Sequence, residues 1–274
     1  MNSERLTHFS NETLVEAMHR NLMIYMEALG SLPGASVEHD GPVSRISLGI
    51  PMTSLNYGVI NAEPLPSRYL PQLIARTKAF YRKRSDRFSW YPFGAGKTEA
   101  LHDALLGEGF EHKAPYPCMA VELQHLPEAP ENTIQVNEAE SAADKHDWTE
   151  AMRRGFGYCD DLKKQFAACF GALPSDEKFP LRLFLARAEN EPAAGSAMLC
   201  LGGGVAGLYA IATVSGMRRR GVGQALTQAA LEYAKKMGYR AGVLQASQMG
   251  VPLYQRVGFL TFDSMSVYHS PEPL

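Results

Sequence analysis

The chain of 274 residues contains no run of about 18 apolar residues, so a helix crossing a membrane is not expected. Its opening residues, MNSERLTHFSNETL, lack the apolar core of a secretion leader, and the expectation is a cytoplasmic protein. Cysteine is scarce: Cys118, Cys159, Cys169 and Cys200 form no CxxC pair and no cluster with histidine, which argues against a disulfide framework or a zinc site and for free thiols. The 8 histidines are scattered, none at ligand spacing. Charge of one sign is also missing. A formal net charge of −2 gives no global attraction to nucleic acid or to a membrane surface.

What is present is ordinary globular material, 45% apolar and 20% charged, in a chain long enough for two domains. One stretch stands out. The apolar segment Leu208 to Val214 leads into Arg218, Arg219, Arg220, Gly221, Val222 and Gly223, and then into a helical pattern ending near Met237. A strand, a basic glycine loop and a helix start together make an anion seat. The first backbone N–H groups of a helix have no internal partner and lie at the positive end of its dipole, which favours phosphate there. Arginines add forked donors and fixed charge. A dinucleotide fingerprint does not fit, because the glycine order is wrong and the element comes late in the chain.

Before this stretch, residues 11–29 place apolar side chains at helical spacing and stop at Gly30. VSRISLGI (43–50), NYGVINA, FSWYP (88–92) and CMAVEL (118–123) read as strands, with helices over 71–84 and 98–108. The proline-containing HLPEAPEN (125–132) is the expected boundary between domains 1–126 and 127–274. The second half then reads as a strand at TIQV, a helix around Trp148, a second helix over 158–170 and three strands with a turn at Glu191-Pro192. After the glycine-loop helix come a strand (241–247), a short helix and a last strand. ALHDALLGEGF (100–110) and PLYQRVGF (252–259) both set a short helix before Gly-Phe and a closing strand, so the halves read as related modules.

Two other motifs are weaker. Gly94-Ala95-Gly96-Lys97-Thr98 imitates the end of a nucleotide-triphosphate loop, but Tyr91 stands where the first glycine belongs and Pro92 removes an amide, so a capped helix start is expected. Arg82-Lys83-Arg84 reads as a solvated helix end.

The second half resembles the GCN5-related N-acetyltransferase (GNAT) superfamily on four features in order: the strand at Leu208–Val214, the loop Arg218–Gly223, the strand Val243–Ala246, and Tyr254 with Gly258-Phe259. The first half resembles a degenerate copy. The implied fold is α/β (α+β): two modules, each a mixed sheet flanked by helices, the C-terminal one with splayed parallel strands. The implied co-substrate is acetyl-CoA, its pyrophosphate on Arg218, Arg219, Arg220 and the amides through Gln224, including Gly221, Val222 and Gly223. Its pantetheine arm would lie on the strand edge at Ile211 and Thr213. Family members often carry Asn after the next strand, and here Ser247 stands there. Tyr254 is implied as the group that protonates the departing thiolate.

No acid lies on Leu208–Val214. Asp160 and Asp161 are candidates for the general base, or simply a favourable helix-start pair, and Tyr209 is a candidate for the acceptor pocket or for packing. The resemblance thus implies transfer of an acetyl group to a small-molecule or peptide amine by direct attack in a ternary complex. The alternative is a non-catalytic acyl-CoA sensor or interaction module. The acceptor, acyl preference and oligomeric state are left open.

Overall fold

The computed structural model describes residues 5, 9–52, 56–60, 64–84, 87–128, 133–189 and 191–271. In chain order its elements are α1 (Asn11–Gly30), β1 (Ser36–Asp40), β2 (Val43–Ser47), β3 (Tyr57–Ile60), α2 (Leu70–Arg82), β4 (Ser89–Tyr91), α3 (Glu99–Gly107) and β5 (Glu111–Glu122). They continue with β6 (Gln135–Glu138), α4 (Ala142–Phe156), α5 (Lys163–Phe170), β7 (Leu181–Ala188), β8 (Glu191–Gly202), β9 (Val205–Thr213), α6 (Val222–Lys236), β10 (Ala241–Gln245), α7 (Val251–Val257) and β11 (Leu260–His269).

Most expected elements are where periodicity puts them, and the departures have physical reasons. β1 carries no apolar alternation, because its side chains are mostly exposed and it pairs only with β2. β8 opens at Glu191, so the dipeptide expected as a turn is already strand: Glu191 sits opposite Ala188 in the ladder. The helix expected over 158–170 begins as a single 3-10 turn at Asp160–Leu162 and becomes α-helical only at Lys163.

The chain folds as two compact units, residues 1–28 with 117–263 and residues 29–116 with 264–274. In the first unit the sheet order is β5-β10-β9-β8-β7-β6, with β9 and β10 parallel and the other neighbours antiparallel. Leu199, Leu208 and Leu244 of this sheet bury against Leu226 and Leu231 of α6, and Phe259 joins the same core. α4 packs along β8 and β9, where Trp148 donates its indole N–H to the Ala197 carbonyl at 2.9 Å. α1 joins through Asn21, fully buried, whose amide donates to the carbonyls of Cys200, Gly202 and Val205 at 2.9–3.1 Å.

In the second unit the order is β1-β2-β3-β4-β11, with β3 and β4 parallel. Ile74 and Tyr81 of α2 bury with Phe88, Trp90, Leu105 and Phe110. The division differs from a single cut at 126/127. Residues 118–122 of β5 pair with all of β10, and Tyr268 and His269 of β11 pair with Trp90 and Ser89 of β4. Each unit therefore draws one strand from the other half of the sequence, and a cut at 126 would sever both ladders. The mixed sheets flanked by helices are the expected α/β class.

Candidate functional site

The geometry begins where β9 loses its parallel neighbour. β10 pairs with β9 only at Gly242↔Ala206 and Val243↔Gly207, and the remainder of β9 has no partner on that edge among the described residues. Val214 donates its amide to Ala194 on the β8 side at 3.1 Å. Because successive amides of a strand point to opposite edges, Thr213, and Ile211 two residues before it, turn theirs to the unpaired edge. The splay expected of the C-terminal sheet is present, and it leaves backbone donors and acceptors without a strand to satisfy them.

The chain then enters α6 through a loop with two left-handed residues, Arg219 at φ 61 and Gly221 at φ 84. Gly221 is the N-cap, and no side chain caps the helix. That is unlike α3, capped by Thr98, and α4, which has a full capping box from Ser141 and Asp144. No heavy atom lies within 4 Å of the place a Cβ at 221 would occupy. The first amides of α6 thus face open space beside Arg219 and Arg220, both exposed, and an anion there would supply the missing cap.

Arg218 has a different setting. Its guanidinium donates to the carbonyl of Gly155 at 3.0 Å and to that of Thr213 at 3.4 Å, tying the loop to the end of α4 and the end of β9. Gly155 permits this approach, since a Cβ on it would lie 2.8 Å from Ala212 Cβ and 3.1 Å from the Thr213 nitrogen. Val222 is buried in the core, and Gly223 and Gln224 are half-buried in the first turn.

Tyr254 lies on α7, its ring edge-on to Phe259 with centroids 5.8 Å apart. Burial pushes its phenol up to about 12, so it holds its proton throughout the neutral range. Its side chain is half-buried and packs against the core of the sheet and α6. Ser247 accepts the Gly250 amide on its hydroxyl at 3.2 Å and so shapes the entry to α7, while its own proton stays available.

Asp160 and Asp161 are exposed residues of the 3-10 turn. Asp160 pairs with Arg153 at 2.6 Å and is 88% exposed. Both carboxylates lie in the turn that leads into α5, where the helix-start reading has them. Tyr209 is half-buried, donates to Asn21 Oδ1 at 2.8 Å and stacks on Tyr25 with centroids 3.9 Å apart.

Sequence reading missed Asn21, Gly155 and Ser196. The signal for Asn21 and Ser196 was there: a lone amide on an apolar helix face and a lone hydroxyl in the apolar run of β8. Cys118, Cys169 and Cys200 are buried, Cys159 is exposed, and all four are free thiols. Among the described residues, no helix is long and apolar enough to cross a membrane.

The model of the acetyltransferase (GNAT) family matches residues 142–259, the span from the start of α4 to Phe259. Solved structures share the fold over nearly the whole chain. A GCN5-related N-acetyltransferase from Kribbella flavida is 18% identical with a TM-score of 0.65, covering 92% of this chain and 95% of that one. One from Sphaerobacter thermophilus is 16% identical with a TM-score of 0.60, covering 93% and 91%. A tandem GNAT protein from the clavulanic acid biosynthesis pathway, solved without acetyl-CoA, is 13% identical with a TM-score of 0.58 and covers 97% of both chains. No curated protein matches the sequence.

Proposed function

Residues 142–259 being a GNAT-family domain, we propose that the chain is an acetyl-CoA-dependent N-acetyltransferase acting on a primary amine, by direct attack in a ternary complex. The observation that carries this reading is the unpaired edge of β9 running into a helix start with no side-chain cap and no atom over Gly221. Tandem organisation is part of the same proposal, with the unit of residues 29–116 and 264–274 the degenerate module and the unit of residues 1–28 and 117–263 the working one.

When bound, acetyl-CoA supplies an acetyl group activated as a thioester. The chain's residues account for the remainder. The amides of Gly221 to Gln224, with Arg219 and Arg220, hold the diphosphate. Arg218 holds the loop itself in place through Gly155 and Thr213. Ile211 and Thr213 offer strand-like hydrogen bonds to the amide-bearing arm, as in the addition of a strand to a sheet edge. Ser247 can donate one further hydrogen bond. Tyr254 keeps its proton well above neutral pH and donates a hydrogen bond to the sulfur as sulfur leaves, stabilising a thiolate whose ordinary pKa near 8.5 lies below that of the phenol. The amine's own proton is taken by Asp160, Asp161 or water, since β9 itself carries no carboxylate.

The test is calorimetric titration with acetyl-CoA followed by thiol release with a panel of primary amines. Saturable binding and turnover on at least one amine are expected. No binding would overturn the reading, and binding without turnover on any amine would leave an acyl-CoA sensor in its place.

A further inference from the structure

The β8–β9 ladder slips at one place. Ser196 pairs with Ala212, but Met198 pairs with Tyr209, so Ala197 faces both Ala210 and Ile211 in a β-bulge. Ala210 takes φ 48, a left-handed conformation that costs an L-residue energy and persists only where its surroundings hold it. The bulge comes after β10 has stopped pairing, at the unpaired edge described above.

Its neighbours are fixed by independent contacts, Tyr209 by Asn21 and Tyr25 and the Thr213 carbonyl by Arg218. The strained residue itself is held by Ser196, fully buried, whose hydroxyl donates to the Ala210 carbonyl at 3.1 Å. Ser196 lies in a run of small and apolar residues, Ala193, Ala194, Ala197 and Met198, where alanine would pack as well and leave no hydroxyl to satisfy.

We propose that Ser196 is a positioning residue that pins Ala210 in the bulge and so aims the adjoining β9 amide at the acyl carbonyl of the donor. The inference rests on the acetyltransferase reading and adds to it the side chain that sets the direction of the amide. Gripping the Ala210 carbonyl fixes the peptide plane that also carries the Ile211 amide. Without that grip the bulge can relax toward extended strand and the amide swings away from the carbonyl.

The test uses two non-transferable donor analogues on the full chain, acetonyl-CoA, which keeps a carbonyl, and S-propyl-CoA, which lacks one. By calorimetry the wild type should prefer acetonyl-CoA by about tenfold, the worth of one good hydrogen bond. Ser196→Ala should bring the two affinities within about twofold while leaving S-propyl-CoA unchanged, since only the carbonyl contact is lost. Ser196→Cys, which is slightly larger and only a weak donor, should behave similarly. Adding Ala210→Gly to Ser196→Ala should recover most of the preference, because glycine enters the left-handed region without strain. A wild type with no preference, a Ser196→Ala protein that keeps it, or an equal loss of both analogues would overturn the proposal. Failure of both analogues to bind the wild type would instead sink the acyl-CoA reading beneath it.

Discussion

The two halves of the chain contain the same closing device with different chemistry built on it. In α7 and the residue pair after it, Gly258 has φ 99 and Phe259 donates its amide to the Tyr254 carbonyl at 3.0 Å. In α3 and its pair, Gly109 has φ 81 and Phe110 donates to the Leu105 carbonyl, also at 3.0 Å. Leu105 therefore stands where Tyr254 stands, fully buried and without a hydroxyl. The parallel pairs differ in the same sense. β3 and β4 stay paired at three successive positions, through all of β4, whereas β9 and β10 part after two. α2 starts from Tyr69 with Pro71 in its first turn, where α6 starts from Gly221. Proline removes an amide from the helix start that glycine leaves open. Packing preserves the fold in both halves, and a few positions decide whether an unpaired strand edge, an uncapped helix start and a phenol are present.

The most severe way to break this contrast is to give the working half the other half's lack of a hydroxyl. Tyr254→Phe should lower kcat by about a hundredfold or more, the usual worth of a positioned acid, while the acetyl-CoA dissociation constant changes less than about twofold. Steady-state thiol release and calorimetry read the two numbers separately. Equal turnover would reduce Tyr254 to a packing residue like Leu105.

Gly221→Val attacks the seat next. A β-branched residue at φ 84 costs of order 1–3 kcal/mol, and its side chain enters the space left open for the anion, so acetyl-CoA affinity should fall by about tenfold or more. The matching change Pro71→Gly in α2 should not create acetyl-CoA binding in the other half, because β3 and β4 remain closed. Retained affinity in Gly221→Val would remove the seat from the proposal.

A third test separates a buried phenol from a buried leucine by pH. In the unfolded chain the Tyr254 phenol titrates near its ordinary pKa of about 10, and in the fold it is pushed up to about 12. Below pH 10 both states keep the proton and stability is unaffected. As pH rises from 10 to 12 the unfolded chain releases it first, so the fold loses stability, on the order of 1 kcal/mol at pH 11 relative to Tyr254→Phe. Urea unfolding of both proteins at pH 8, 10 and 11 measures this. Parallel curves would mean that the phenol is not buried as described.

How much of this was readable beforehand follows from what kind of signal each feature leaves. The arginine–glycine loop and Tyr254 were legible because they need particular residue types at fixed spacing. The Gly-Phe repeat was legible for the same reason. The splay of β9 from β10 came only with the resemblance to a family, since two strands that part have the same apolar pattern as two that stay together. The exchange of β5 and β11 between units was invisible, because a strand's sequence records its periodicity and not its partner. Asn21 shows the same limit. Its place on an apolar helix face marked it as exceptional, but the three carbonyls it serves lie about 180 residues away. Asp160 shows the same limit, since its ion pair with Arg153 depends on the fold bringing the turn back to α4.

The smallest predicted effect bears most directly on why one helix start lacks what its neighbours have. Thr98 accepts the Leu101 amide at 3.2 Å and caps α3, so Thr98→Ala should cost about 1 kcal/mol of stability, with or without acetyl-CoA. α6 has no such side chain to lose, and its cap is to come from the ligand. Acetyl-CoA should therefore raise the midpoint of thermal unfolding, and the raise should be the same in wild type and Thr98→Ala, because the two caps serve different helices and do not share partners. In Gly221→Val the raise should shrink in proportion to the lost affinity. If instead Thr98→Ala diminished the stabilisation by acetyl-CoA as much as Gly221→Val does, the ligand would be seated at the start of α3, and the assignment of working and degenerate halves would have to be exchanged.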